Sequence, residues 1–348
     1  MLYSLGQMLV DSFGPFRLLT SFSFLIFSGT VTAFLGSLVA LPRFNSLLPH
    51  DRGKEFAVQG AVAKGKPTGS GVIFITVFVL VSVLFVPIQN DVVMVLGLTY
   101  LAMLSGFLDD RSEKPWGEYF KGLIDLLLAL AGAFILARSR SVIWLPFITG
   151  EFMVPVYIFV PVAVIILWTS INSTNCTDGV DGLSSSLVLL GLLSMGVFMY
   201  FVIGHTDISR HLLLPHYPDA ASWAVMVFVM VGCLSGYLWY NAYPSEILMG
   251  DAGSRAIGFF LGCSILLARN PFLLFIVGTV ILVNGGTGLL KVILLRFLNV
   301  SIFHSIRFPL HDHFRNVKEW SNTQVLIRFS LVQILLIIVL FGMFLKIR

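Results

Sequence analysis

Asp109 and Asp110 are adjacent carboxylates at the end of an apolar run, in GFLDDR (106–111). Two like charges beside a low-dielectric boundary repel unless a cation joins them or one is protonated. Asp178 and Asp181 share the glycine-containing segment NSTNCTDGVDG (172–182), and Asp251 lies between Gly250 and Ala252 in NAYPSEILMGDAGS (241–254). Carboxylates without a Cys or His cluster are hard oxygen ligands, which suit Mg²⁺ or Mn²⁺ better than zinc. Mg²⁺ takes one or two of them and fills its remaining positions with water and substrate phosphate oxygens. The alternative is that these acids simply cap helices at a membrane surface.

Cations and amides accompany the acids. Lys64, Lys66, Lys114, Lys121 and Arg307 offer positive charge to a diphosphate, although each alone also fits as a positive-inside charge. Asn172, Asn175 and Asn241 offer amides suited to a nucleobase or sugar, and they are equally ordinary turn residues. The stretch from Asp251 to Ser254 reads as a helix start, whose free N–H groups favour phosphate. His311 and His313 flank Asp312 in RFPLHDHF (307–314), which reads either as a pair of hydrogen-bond donors for a phosphate or sugar or as a solvated turn. Acids, a hard metal, cations and an apolar chain together imply phosphoryl transfer involving a lipid. Metal and lysines would spread charge over the phosphoryl oxygens and the leaving nucleotide. A lipid phosphate is already largely ionised at neutral pH, so a strong base is not essential. Asp109 or Asp110 would take any final proton.

The elements that must hold these groups are membrane helices. Hydrophobic residues make up 57% of the chain and charged residues 11%, with mean hydropathy +0.92. A soluble domain carries about a quarter charged residues, because water must wet its surface. Apolar spans fall near 19–41, 71–88, 91–108, 122–137, 153–170, 183–203, 221–240, 255–268, 271–295 and 324–345. Their length approaches the ~20 residues a helix needs to cross hydrocarbon. They are continuous rather than alternating, which argues against a β-barrel. The expected fold is an all-α integral membrane protein, one polytopic domain over 1–348 with about ten transmembrane helices.

Lys and Arg orient it. Loops after odd-numbered spans hold fourteen of them, against seven on the side with both termini. Odd loops are therefore expected in the cytoplasm and both termini outside. Every motif-bearing segment, KGKPTGSG (64–71) included, lies on the basic side, and the outer loops are bland. A transporter would place polar groups near mid-membrane and use both faces. Asp125 is the one clear acid inside a span, so an enzyme working at the cytoplasmic face is the reading preferred. Cys176, Cys233 and Cys263 are scattered and form no C-x-x-C pair. Asp11, with no basic stretch before an apolar core, argues against a cleaved signal peptide. No nucleic-acid partner is expected.

GFLDD, NxTNxTDGxDGL, NAYPxxxxMGDxGS and RxPxHxHF, in this order, resemble the polyprenyl-phosphate N-acetylhexosamine-1-phosphate transferases over about residues 42–330. Within that family the similarity points to the branch that moves phospho-MurNAc-pentapeptide from UDP-MurNAc-pentapeptide to undecaprenyl phosphate, making lipid I and releasing UMP. The sister branch using UDP-GlcNAc is the alternative. The resemblance implies ten helices, Mg²⁺, a homodimer and the bacterial cytoplasmic membrane. By position it makes Asp251 the metal-binding aspartate and Asp109 with Asp110 the catalytic acidic pair. It assigns substrate contacts to Lys64, Thr68, Lys121, Asn175, Asp178, Asn241, His311 and His313. Asp312 stands at the middle of the family's three-histidine run, Leu248 where an aromatic is common, and Lys114 competes with Lys121 for one role.

Overall fold

The computed structural model describes residues 1–51, 53, 64–146, 148 and 150–346; Arg52 and Lys54, two of the basic-side charges, lie outside the described residues. Helices occupy all ten apolar segments. In chain order the first five are α1 (Phe22–Phe44), α2 (Gly71–Phe85), α3 (Asn90–Arg111), α4 (Glu118–Arg140) and α5 (Val156–Thr177). Next come α6 (Leu183–Val197), which a π-helical turn carries to Ile203, then α7 (Ala220–Asn241) and α8 (Gly250–Leu267). The chain ends with α9 (Thr287–Leu298), the short surface helix α10 (Leu310–Val317) and α11 (Asn322–Lys346). A two-stranded hairpin, Val142–Ile143 against Phe152–Met153, joins α4 to α5.

This is an all-α integral membrane protein. Among the described residues eight helices are long and apolar enough to cross a membrane. The two other expected spans are α2, with 15 residues, and α8, with 18 residues that include Asp251 and Arg255. Burial sorts the bundle. In α7, 83% of the most apolar window is buried, against 17% in α11, so α7 is core and α11 rim. From Asp251 to Leu267 every residue of α8 is buried, and α8 packs against α2 to α6. A helix apolar on all sides belongs inside other protein. Phe27, Leu127, Ile165, Leu335 and Ile338 stay exposed on outer helices, facing the lipid that would surround them.

Three details differ from the sequence reading. The expected span 271–295 is broken into Pro271–Leu273, Leu274–Val277 and Thr279–Ile281, then a π turn, Leu282–Gly286, before α9. Gly278, Gly285 and Gly286 weaken regular helix there. Second, several motif residues sit on helix ends rather than in loops. Asp109 and Asp110 are in the last turn of α3, Lys121 is in the first turn of α4, and Asn172 and Asn175 are in α5. Polar residues at the surface do not stop a helix, and no Gly or Pro interrupts 172–178. Third, Arg255, one of the fourteen basic residues assigned to the cytoplasmic side, is fully buried on α8.

Candidate functional site

The motif segments meet at one end of the bundle, tied to each other by hydrogen bonds. The Pro-Thr segment runs beside 245–249: Leu248 N–H donates to Pro67 O (2.8 Å), Ser70 Oγ to Leu248 O (2.9 Å) and Lys66 Nζ to Ser245 Oγ (3.1 Å). Ser245 N–H in turn donates to Asp181 Oδ2 (3.1 Å). Asn241 accepts from Gly182 N–H and donates to Ile247 O, both at 2.8 Å. Its amide therefore locks two motif loops together.

At the centre are α3, α4 and α8. Successive residues on a helix point in different directions, and the acidic pair divides accordingly. Asp110 receives the N–H groups of Asp251 and Ala252, one on each carboxylate oxygen at 3.0 Å. An anion on the open N–H groups of a helix start is favourable, and here it anchors the turn that carries Asp251. Asp109 accepts Trp116 N–H at 2.8 Å and turns its other oxygen onto the Lys121 ammonium. The same ammonium lies 2.9 Å from Asp251 Oδ2. Asp109 and Asp251 thus converge on one point, and a cationic group already occupies it. Lys121 is the lysine that reaches the acids; among the described residues no hydrogen bond or ion pair links Lys114 to them.

One helical turn deeper, Asp125 on α4 pairs with Arg255 on α8. Asp125 Oδ1 accepts from Nε at 2.9 Å and from Nη2 at 2.5 Å. The pair is buried, at 1% and 0% exposure. Asp125, the one acid inside a span, is therefore bound to a partner and does not mark an open pathway.

The remaining expected contacts are distributed around this centre. Asn175 Oδ1 accepts from Ser254 Oγ at 3.4 Å, one helical turn from Asp251. Asp178 caps the C-terminus of α5. Thr68 is buried, its N–H on Pro49 O, and neighbouring Gly69 lies against Asp110. Lys64 is exposed, and among the described residues no hydrogen bond or ion pair ties it to the carboxylates. His313 and His311 part company. His313 Nδ1 accepts Arg307 N–H at 3.4 Å, whereas His311 is buried on Gly179, where any Cβ would come within 2.5 Å of Nε2. Asn284 in the π turn holds His311: its Oδ1 accepts the His311 N–H (2.8 Å), and its amide also meets Nδ1 and Thr177 Oγ1, each at 3.1 Å. Sequence reasoning missed Asn284. A lone Asn in an apolar span was the signal available. Asp312, in the middle position, turns to Arg315 at 3.4 Å.

Burial, with Arg315 nearby, lowers the His311 pKa from 6.5 to about 3. Its folded pKa lies below the unfolded one, so between these values the unfolded chain binds a proton that the folded chain refuses. The resulting stability is complete above pH 6.5 and is lost as pH falls toward 3, by up to about 1.4 kcal/mol per unit. Melting temperature in detergent is expected to drop as pH is lowered from 6.5 to 4.5. The variant His311→Gln should flatten that drop, and an unchanged slope would exclude His311 as its source.

The donor set at the centre suits a hard cation. Among the described residues no group of three or more His, Cys, Asp or Glu is arranged to hold a metal by itself. Two carboxylates converging on one point match a cation that completes its shell with water and phosphate.

A helical membrane bundle with acids, a lysine and a helix N-terminus gathered at one end is the arrangement suited to a membrane-embedded transferase. Residues 92–269 match the family model described as glycosyl transferase family 4. The chain is 49% identical to phospho-N-acetylmuramoyl-pentapeptide-transferase of Treponema pallidum (strain Nichols), over 97% of this chain and 94% of that protein. It is 30% identical to the protein of that name from Wolinella succinogenes, over 87% of this chain and 89% of the relative. For the Helicobacter pylori (strain J99) protein the identity is 30%, over 78% and 79%. The chain belongs to the phospho-N-acetylmuramoyl-pentapeptide-transferase family, within glycosyl transferase family 4.

Proposed function

We propose that this protein transfers phospho-MurNAc-pentapeptide from UDP-MurNAc-pentapeptide to undecaprenyl phosphate, giving lipid I and UMP in peptidoglycan synthesis. It would do so with Mg²⁺, at the cytoplasmic face of the bacterial inner membrane, with both termini outside. The convergence of Asp109 and Asp251 on Lys121, beside a helix start anchored by Asp110, carries this reading. The basic side of the chain coincides with the motif-bearing side, which supports the orientation.

In the net reaction an oxygen of the lipid phosphate bonds to the sugar-linked phosphorus of the donor. The bond from that phosphorus to the bridging oxygen breaks, and the bridging oxygen leaves with UMP. Asp251 and Asp109 would hold the Mg²⁺, which when bound supplies charge stabilisation to the diphosphate. Lys121, its side chain 27% exposed, is the mobile charge: it exchanges carboxylate for phosphate as substrate enters. Asp110 keeps both oxygens on α8 and fixes where Asp251 points. Neutral His311, oriented by Asn284, borders the loop 178–182 at Gly179.

Purified protein with undecaprenyl phosphate is expected to release UMP from UDP-MurNAc-pentapeptide only when Mg²⁺ or Mn²⁺ is present, and Asp251→Asn should silence it. Release from UDP-GlcNAc alone would replace the donor assignment with that of the sister branch. Donor passage across vesicles without UMP would overturn the enzymatic reading.

A further inference from the structure

Lys121 and Asp125 stand one turn apart on α4, and Asp251 and Arg255 one turn apart on α8. The two helices are therefore joined by two rungs, Lys121–Asp251 at 2.9 Å and Asp125–Arg255 at 2.5 Å, with the order of charge reversed between them. Around this square every neighbour is of opposite sign. The rungs differ in exposure. Side-chain exposure is 27% and 13% in the upper rung but 2% and 0% in the lower. A buried pair excluded from water holds one geometry, because either partner left alone would be an uncompensated charge.

We infer that Asp125 and Arg255 are positioning residues which keep each other from capturing the working pair. Both have a second partner within reach. Residues four apart on a helix are neighbours, so Arg255 faces Asp251 along α8 and Lys121 faces Asp125 along α4. Arg255 also has a donor to spare, since its Nη1 finds no hydrogen-bond partner among the described residues. While the lower rung is intact these competing contacts are suppressed. Asp251 then keeps its position for a divalent cation and Lys121 its position for a diphosphate, without the helices losing register. This rests on the functional reading above.

The two single substitutions should therefore fail in different ways. Asp125→Asn releases Arg255 onto Asp251, in competition with the divalent cation, so the Mg²⁺ concentration for half-maximal rate should rise about tenfold with little change in KM for the nucleotide donor. Arg255→Met releases Asp125 onto Lys121, so donor KM should rise about tenfold with the Mg²⁺ midpoint little changed. Donor binding measured by calorimetry in EDTA without acceptor, where nothing turns over, should weaken for Arg255→Met and hold for Asp125→Asn. The double variant Asp125→Asn with Arg255→Met removes both competitors and should bring both parameters back to within about threefold of the starting protein. Melting temperatures of all four proteins check that each is folded, and Asp125→Ser or Arg255→Gln, each removing the same charge, replaces the corresponding single variant if it is not. Singles that lose the same parameter, or a double variant no better than either single, would overturn the inference. Starting protein that releases no UMP from either donor would instead overturn the functional reading.

Discussion

Asp251→Asn is expected to lower kcat by about a thousandfold or more while leaving the protein folded. Asparagine has the size of aspartate, and the backbone N–H that Asp110 receives is unaffected by the substitution, so the start of α8 keeps its anchor. What is lost is charge. Lys121 retains Asp109 as a partner but no longer bridges two anions, and the divalent cation proposed above would lose one of the two carboxylates that meet at Lys121. A diphosphate would then meet less positive charge at the instant its bridging bond breaks. UMP release and a melting curve in detergent separate the outcomes. A variant that melts normally and keeps more than about a tenth of the rate would remove Asp251 from the chemistry. One that melts far lower would show that its charge holds the bundle end together.

Much of this site was legible before any coordinates, because its residues break the surrounding pattern. Asp109, Asp110 and Asp251 interrupt apolar sequence on the basic side of the chain, and a charge placed there demands a partner. Apolar run length located the helices for the same reason. What stayed hidden depended on contacts between distant segments. Nothing in GDAGSRAIG says that Arg255 faces inward, because positive-inside counting treats every basic residue near a span end as solvated. Only the meeting of α4 and α8 reveals Asp125 as its partner. The division of labour between Asp109 and Asp110 is equally a tertiary fact, set by which oxygen faces the N-terminus of α8. Asn241 reads as a substrate amide, and that its amide also joins Gly182 to Ile247 is visible only in the fold. The π turn escaped for another reason: a helix that gains one residue keeps its composition, so hydropathy cannot see it.

Gly106→Ala should lower activity nearly as far as Asp251→Asn, though no side chain of the candidate site is touched. A Cβ at Gly106 would fall 2.2 Å from Asp251 O and 2.5 Å from Ala252 N, and one at Gly71 would fall 2.1 Å from Gly253 N. All three are backbone atoms in the first turn of α8, so no rotamer change relieves the clash. Glycines on α2 and α3 flank that turn and let it approach closely enough for Asp110 to receive its N–H groups. Restoring ordinary carbon contact would move the turn by about 1 Å, and a misplacement of that size costs on the order of a hundredfold in rate. The expected result is a rate at least about a hundredfold lower and a reduced melting temperature. Gly97→Ala on the same helix is the control, since a Cβ there meets nothing within 4 Å. That variant should keep full UMP release and melt no lower, alanine being the better helix former. Equal activity in the two would mean that α8 can slide without consequence, and the spacing between Asp109 and Asp251 would then not be what sets the rate.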